Sequence, residues 1–93
     1  MKKFFYRVKE GDTLLSVSNA FLVPTLCLAQ DNRLKSEIEV GDVLIVNVGQ
    51  NAYRVNPCDT LESISKKLGS SVERLSYLNG GITYVFYGLI ITY

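Results

Sequence analysis

The apolar and polar positions of this chain fall into one pattern that is laid down twice. Tyr6, Arg7 and Val8 alternate in the manner of a short strand, and a turn through Glu10, Gly11 and Asp12 follows. Leu14, Val17 and Phe21 then recur at i, i+3 and i+7, the spacing of one helical face. Pro24 stands where the first residue of a second helix is expected, and Asn32 where that helix ends, being a residue that tolerates a left-handed terminus. Gly41 turns the chain into a closing strand, Val43 to Val46.

The same order returns further on: a strand at Tyr53, Arg54 and Val55, a turn at Pro57, Cys58 and Asp59, and a helical face of Leu61, Ile64 and Leu68. Ser71 is the expected cap of the next helix, Asn79 its end, Gly88 a turn, and Leu89 to Ile91 the closing strand. Laying residues 6–46 over 53–93, an offset of 47, needs no gap and matches 11 of 41 positions, so the chain is a duplication. Asp12 and Asp59 occupy the place of helix N-caps, and Asp59 with Glu62 three residues on has the form of a capping box. The predicted fold class is α+β: two tandem βααβ units, each a two-stranded antiparallel sheet with two helices packed on one face. The expected boundaries are 4–48 for the first unit, 49–52 for the linker and 53–93 for the second unit.

Composition narrows the function classes. Ten basic residues balance nine acidic ones, leaving a net charge of +1 and no electrostatic footprint for nucleic acid or an anionic membrane. No apolar run is long enough for a membrane span. Lys2 and Lys3 ahead of Phe4 and Phe5 resemble the start of a secretion signal, but Arg7, Lys9, Glu10 and Asp12 interrupt any apolar region. The expectation is a chain without an export address, either cytoplasmic or a piece of a longer cell-wall or spore-associated protein. Histidine is absent and the two cysteines, Cys27 and Cys58, have no metal spacing, so neither a metal nor a cofactor is expected. The cysteines are either free thiols, one of them in a core, or a bridge between the units, which would add roughly 3–4 kcal/mol by closing a loop.

The ordered set Tyr6, Val8, Gly11, Asp12, Thr13, Leu14, then Leu28 and Asn32, then Ile38, Gly41, Leu44 and Val46 resembles the LysM domain. The second unit resembles it with substitutions, through Tyr53, Val55, Asp59, Thr60, Leu61, Leu75, Asn79, Val85, Gly88 and Ile91. The resemblance implies binding of N-acetylglucosamine polymers, peptidoglycan or chitin, in a groove between the loop after the first strand and the loop after the second helix. Carried over by position, the implied groove is Gly11, Asp12, Thr13 and Leu14 with Asn32, Arg33, Leu34, Lys35 and Ser36. In the second unit it is Asp59, Thr60 and Leu61, beside Cys58, with Gly80, Gly81, Ile82 and Thr83. A sugar amide needs backbone donors and acceptors beside an apolar surface, and Tyr84 could stack on a ring face.

Each of these residues also has a purely structural reading. Asp12, Asp59, Thr13 and Thr60 suit helix caps, Asn32 and Asn79 helix ends, the leucines a core, and Arg7 and Arg54 a solvated strand face. In the second unit Cys58 replaces the glycine before Asp-Thr, and Pro57 stiffens the same loop; the first unit is therefore the expected binder. Phe86, Tyr87 and Tyr93 exceed what so small a unit needs inside, and they are expected to pack against the first unit or a second copy. The alternative to glycan binding is a structural or protein-interaction module of an envelope or spore-coat assembly, with a homodimer formed through this apolar segment. Catalysis is the least expected class. Glu10, Asp12, Glu37 and Glu39 are the available carboxylates, and all sit in short turns without a deep cleft.

Overall fold

The computed structural model describes residues 2–49 and 51–93. Each copy folds as strand, helix, helix, strand. The first comprises β1 (Lys2–Arg7), α1 (Leu14–Phe21), α2 (Thr25–Asp31) and β2 (Val43–Val48); the second comprises β3 (Ala52–Arg54), α3 (Leu61–Leu68), α4 (Val72–Leu78) and β4 (Ile90–Thr92). The strands pair antiparallel within each copy, from Lys2 opposite Val48 to Arg7 opposite Val43, and from Ala52 opposite Thr92 to Arg54 opposite Ile90. The two sheets remain separate. The first sheet is longer than the pattern predicts because Phe4 and Tyr6 both turn inward and stack edge-on against Phe21. The second closing strand starts one residue later than predicted, at Ile90.

Each copy has its own core. Val8, Val17, Leu28, Leu44 and Val46 centre the first, and Val55, Ile64, Leu75 and Ile91 the second. All lie on the periodic apolar positions, and removing them from water supplies the main driving force of each unit.

The helix starts differ from expectation. Thr13 and Thr60, not the aspartates before them, cap α1 and α3: each hydroxyl accepts from the N–H of Ser16 or Ser63, whose own hydroxyl accepts from the threonine N–H. The capping box thus closes on serine, and Glu62 has no part in it. Pro24 occupies the cap position of α2 rather than its first helical residue, while Ser71 caps α4 through Arg74 N–H as expected.

Asn32 and Asn79 end α2 and α4, but with negative φ. The left-handed residue is the next one in each copy, Arg33 or Gly80. The asparagine side chains tie helix to sheet instead. Asn32 Nδ2 donates to Leu28 O and Ile45 O while Oδ1 accepts from Ile45 N–H; Asn79 does the same with Leu75 O, Thr92 O and Thr92 N–H.

Side chains from both copies hold the repeats together. Asn19 of α1 donates to Gly88 O at 2.7 Å, and Arg54 donates twice to Asn19, to Oδ1 and to the backbone O, each at 2.8 Å. Arg54 is therefore an inter-repeat clamp and not a free strand-face residue. Ile90 N–H reaches Thr25 Oγ1 at 3.3 Å. Cys27 is half-buried and Cys58 exposed, and the two are not bridged.

Candidate functional site

The loop after the first strand is built the same way in both copies. Asp12 Oδ2 accepts from Lys9 N–H and from the Tyr6 hydroxyl, at 2.8 and 2.5 Å. Asp59 does so from Asn56 N–H and Tyr53 Oη, at 3.0 and 2.6 Å. The tyrosine hydrogen bond, then the backbone one, holds the Asp12 carboxyl below the usual carboxylate range and raises the Tyr6 phenol. Asp59 gains a third partner, Lys67 Nζ at 2.8 Å, and Lys67 contributes most to depressing its carboxyl. These aspartates shape the loop from inside, and the threonines beside them are engaged as caps.

At the turn before Asp-Thr, Gly11 has φ +89° and Cys58 has φ +69°. The glycine answers a left-handed backbone, and in the second copy a cysteine takes the same conformation with its side chain in solvent. Cys58 therefore leaves the loop's shape unchanged.

The loop after the second helix meets the first loop in different ways. In the first copy Glu37 reaches across: its Oε1 accepts from Leu14 N–H at 2.7 Å and from Ile38 N–H at 2.9 Å. Leu14 and Leu34 lie half-buried on the first core, while Arg33, Lys35 and Ser36 are exposed. Glu37 was visible in the sequence only as a turn carboxylate, because its partner lies 23 residues away and outside any local capping pattern. In the second copy Tyr84 stands at the position of Glu37, 71% exposed, and among the described residues no carboxylate bonds Leu61 N–H. There Leu61, Ile82 and Thr83 line a cavity of about 450 Å³ together with Val72, Glu73 and Tyr77. Gly80 faces away from it, because a Cβ there would stand 2.7 Å from Leu26 of the first copy. Among the described residues no cluster of His, Cys, Asp and Glu could hold a metal ion.

The LysM domain model matches residues 6–47 and 53–83, one match per copy. The chain belongs to the LysM family. It is 34% identical over 80 residues to the membrane-bound lytic murein transglycosylase D of Escherichia coli K12, an alignment covering 73% of this chain and 18% of that protein. It is 32% identical over 87 residues to the probable peptidoglycan endopeptidase LytE of Bacillus subtilis, covering 80% of this chain and 26% of that one. The chain thus spans about a quarter or less of the relatives it matches. Among solved structures it resembles the Bacillus cereus spore cortex-lytic enzyme SleL, with a TM-score of 0.49 and 25% identity, covering 99% of this chain and 22% of that one. LysM units are general binders of peptidoglycan and related N-acetylglucosamine polymers, and both copies here are LysM units.

Proposed function

We propose that this tandem LysM chain is a non-catalytic module that binds N-acetylglucosamine polymers, peptidoglycan or chitin. The observation that carries the reading is the cavity where Leu61, the first residue of α3 beside its capping loop, meets Ile82 and Thr83, from the loop after α4. It joins the two loops that family membership implicates, and it sets a leucine and an isoleucine beside backbone and hydroxyl groups, as an acetamido sugar requires. Glu37 favours the second copy as the stronger site. In the first copy an internal carboxylate already occupies the Leu14 N–H, so a ligand acceptor must displace a charge-assisted bond to use it.

Support for a non-catalytic role comes from the carboxylates. Asp12 and Asp59 are held in the low-pKa state by their hydrogen bonds, opposite to the raised value a general acid needs. Of the remaining carboxylates, Glu37 is engaged with two backbone N–H groups, while Glu62 and Glu73 line the second-copy cavity.

Titration of the ¹⁵N-labelled protein with N-acetylglucosamine oligomers and with muropeptides tests this. Shifts are expected at Leu61, Ile82 and Thr83 first and at residues 11–14 later. An unchanged spectrum at millimolar ligand, with no retention on insoluble peptidoglycan or chitin, would refute the reading.

A protein-interaction role is the second reading, carried by the exposed Tyr77, Tyr87 and Tyr93. Sedimentation equilibrium decides it: a concentration-dependent dimer lost on Tyr87→Ser would support it, and a monomer throughout would remove the homodimer.

A further inference from the structure

An apolar concavity lies between the repeats rather than inside either one. Its volume is about 390 Å³; Leu14, Leu26 and Ala29 of the first copy face Ile82, Tyr84 and Phe86 of the second. We propose that this cleft is a second glycan site, made jointly by both repeats, and that it takes an uncharged, N-acetylated hexosamine chain. The proposal rests on the glycan-binding reading above and adds a place and a selectivity to it.

Three observations support this assignment. First, the cleft is held open by bonds already made. Asn19 to Gly88, Arg54 to Asn19 and Ile90 to Thr25 fix one repeat against the other, so a ligand need not bring them together. Second, among the described residues no Lys, Arg, Asp or Glu lines it. A peptide-stem carboxylate or the ammonium of a deacetylated glucosamine would be desolvated there without a counter-charge, which is costly. An acetamide methyl or the C–H face of a pyranose would meet Leu, Ile and Ala, with Tyr84 and Phe86, 71% and 48% exposed, offering ring faces at the rim. Third, Ile82 and Thr83 line this cleft and also the groove of the second copy. The two sites are contiguous, so one chain can lie across both.

Calorimetry with N-acetylglucosamine oligomers of increasing length, and with fully deacetylated oligomers, tests the proposal on the intact chain. Affinity should keep rising beyond the length that fills a single groove, and deacetylation should abolish the gain. Phe86→Ala, which removes a half-exposed ring, and Ala29→Arg, which puts a charge into the cleft, should each weaken the longer oligomers about tenfold. Both variants should keep the dispersed amide spectrum of the wild type. Unchanged affinity in both, with shifts confined to Leu61 and residues 72–77, would overturn the joint site and leave glycan binding in place. Deacetylated oligomers binding as tightly as acetylated ones would overturn the selectivity. No binding of any oligomer by the wild type would remove both readings. So would a dimer that Phe86→Ala dissolves while glycans leave the cleft resonances unmoved, since the cleft would then be a self-association surface.

Discussion

The two LysM copies reach one backbone by different chemistry. Four left-handed positions recur at the same places; one is glycine in both copies, Gly41 and Gly88, and three are glycine in one copy only: Gly11 against Cys58, Leu22 against Gly69, and Arg33 against Gly80. The first copy pairs six-residue strands and buries the larger apolar cluster; the second has three-residue strands and a smaller one. The second makes up part of the difference by leaning on its neighbour, through Thr25 and Asn19. The duplication therefore repeats conformations more strictly than residues, and self-sufficiency has shifted toward the first copy.

The sharpest way to break this comparison is at the asparagines. Asn79 is 4% exposed and bonds the helix end to a strand of only three residues, whereas Asn32 serves a strand of six. Removing either leaves strand and helix groups unsatisfied. Asn79→Ala should cost about 2–3 kcal/mol, and Asn32→Ala should cost less, because more of its sheet survives. Urea denaturation gives both values. Equal losses, or a larger one at Asn32, would mean that the second copy does not depend on this bond more than the first.

A smaller effect comes from exchanging residues at the left-handed positions. A side chain there costs about 1–2 kcal/mol over an ordinary conformation, partly offset by the greater unfolded-state entropy of glycine. Cys58→Gly and Leu22→Gly should each stabilise the fold by about 0.5–1 kcal/mol, and Gly69→Leu should destabilise it by a similar amount. Both wild-type side chains are exposed, so little packing is lost. A thermal melt that shows Cys58→Gly as destabilising would give the cysteine a contact that outweighs its strain.

Periodicity made the fold legible. Leu14, Val17, Leu28, Ile64 and Leu75 mark their helices because apolar spacing is a local property, and the 47-residue offset doubled every signal. Helix starts were misplaced by one residue because Asp and Thr are both good caps, and only the tyrosine six residues upstream shows which is taken: it claims the aspartate, leaving threonine to the helix. The site was less legible. Glu37 bonding Leu14, Arg54 bonding Asn19 and Gly80 set against Leu26 all join residues distant in sequence, and periodicity carries no information about them. That Cys58 keeps the left-handed conformation of Gly11 is equally hidden in the sequence, where the exchange shows only an added side chain. The rings of the apolar tail divide: Phe86 lines the inter-repeat cleft, while Tyr87 stays 69% exposed.

The smallest expected effect isolates the one charge that separates the two tyrosine–aspartate locks. Lys67 Nζ bonds Asp59 at 2.8 Å and Tyr53 Oη at 3.2 Å, while Ala20 holds that position in the first copy. Both aspartates are depressed, Asp59 with the added help of the lysine, and Lys67 is raised in turn by Asp59. A carboxyl depressed in the folded state contributes stability above its unfolded value, about pH 4, and loses it as pH falls through the folded value. The second lock should therefore hold to lower pH than the first. Lys67→Ala should bring the Asp59 titration up toward that of Asp12 and leave Asp12 where it is, read from side-chain carboxyl ¹³C shifts. At neutral pH the variant should lose little stability, because the ammonium is half exposed and an exposed pair is screened by water and salt. If Asp59 stayed in place without Lys67, the tyrosine and the Asn56 N–H would account for its whole shift, and the two locks would be electrostatically alike despite the extra charge.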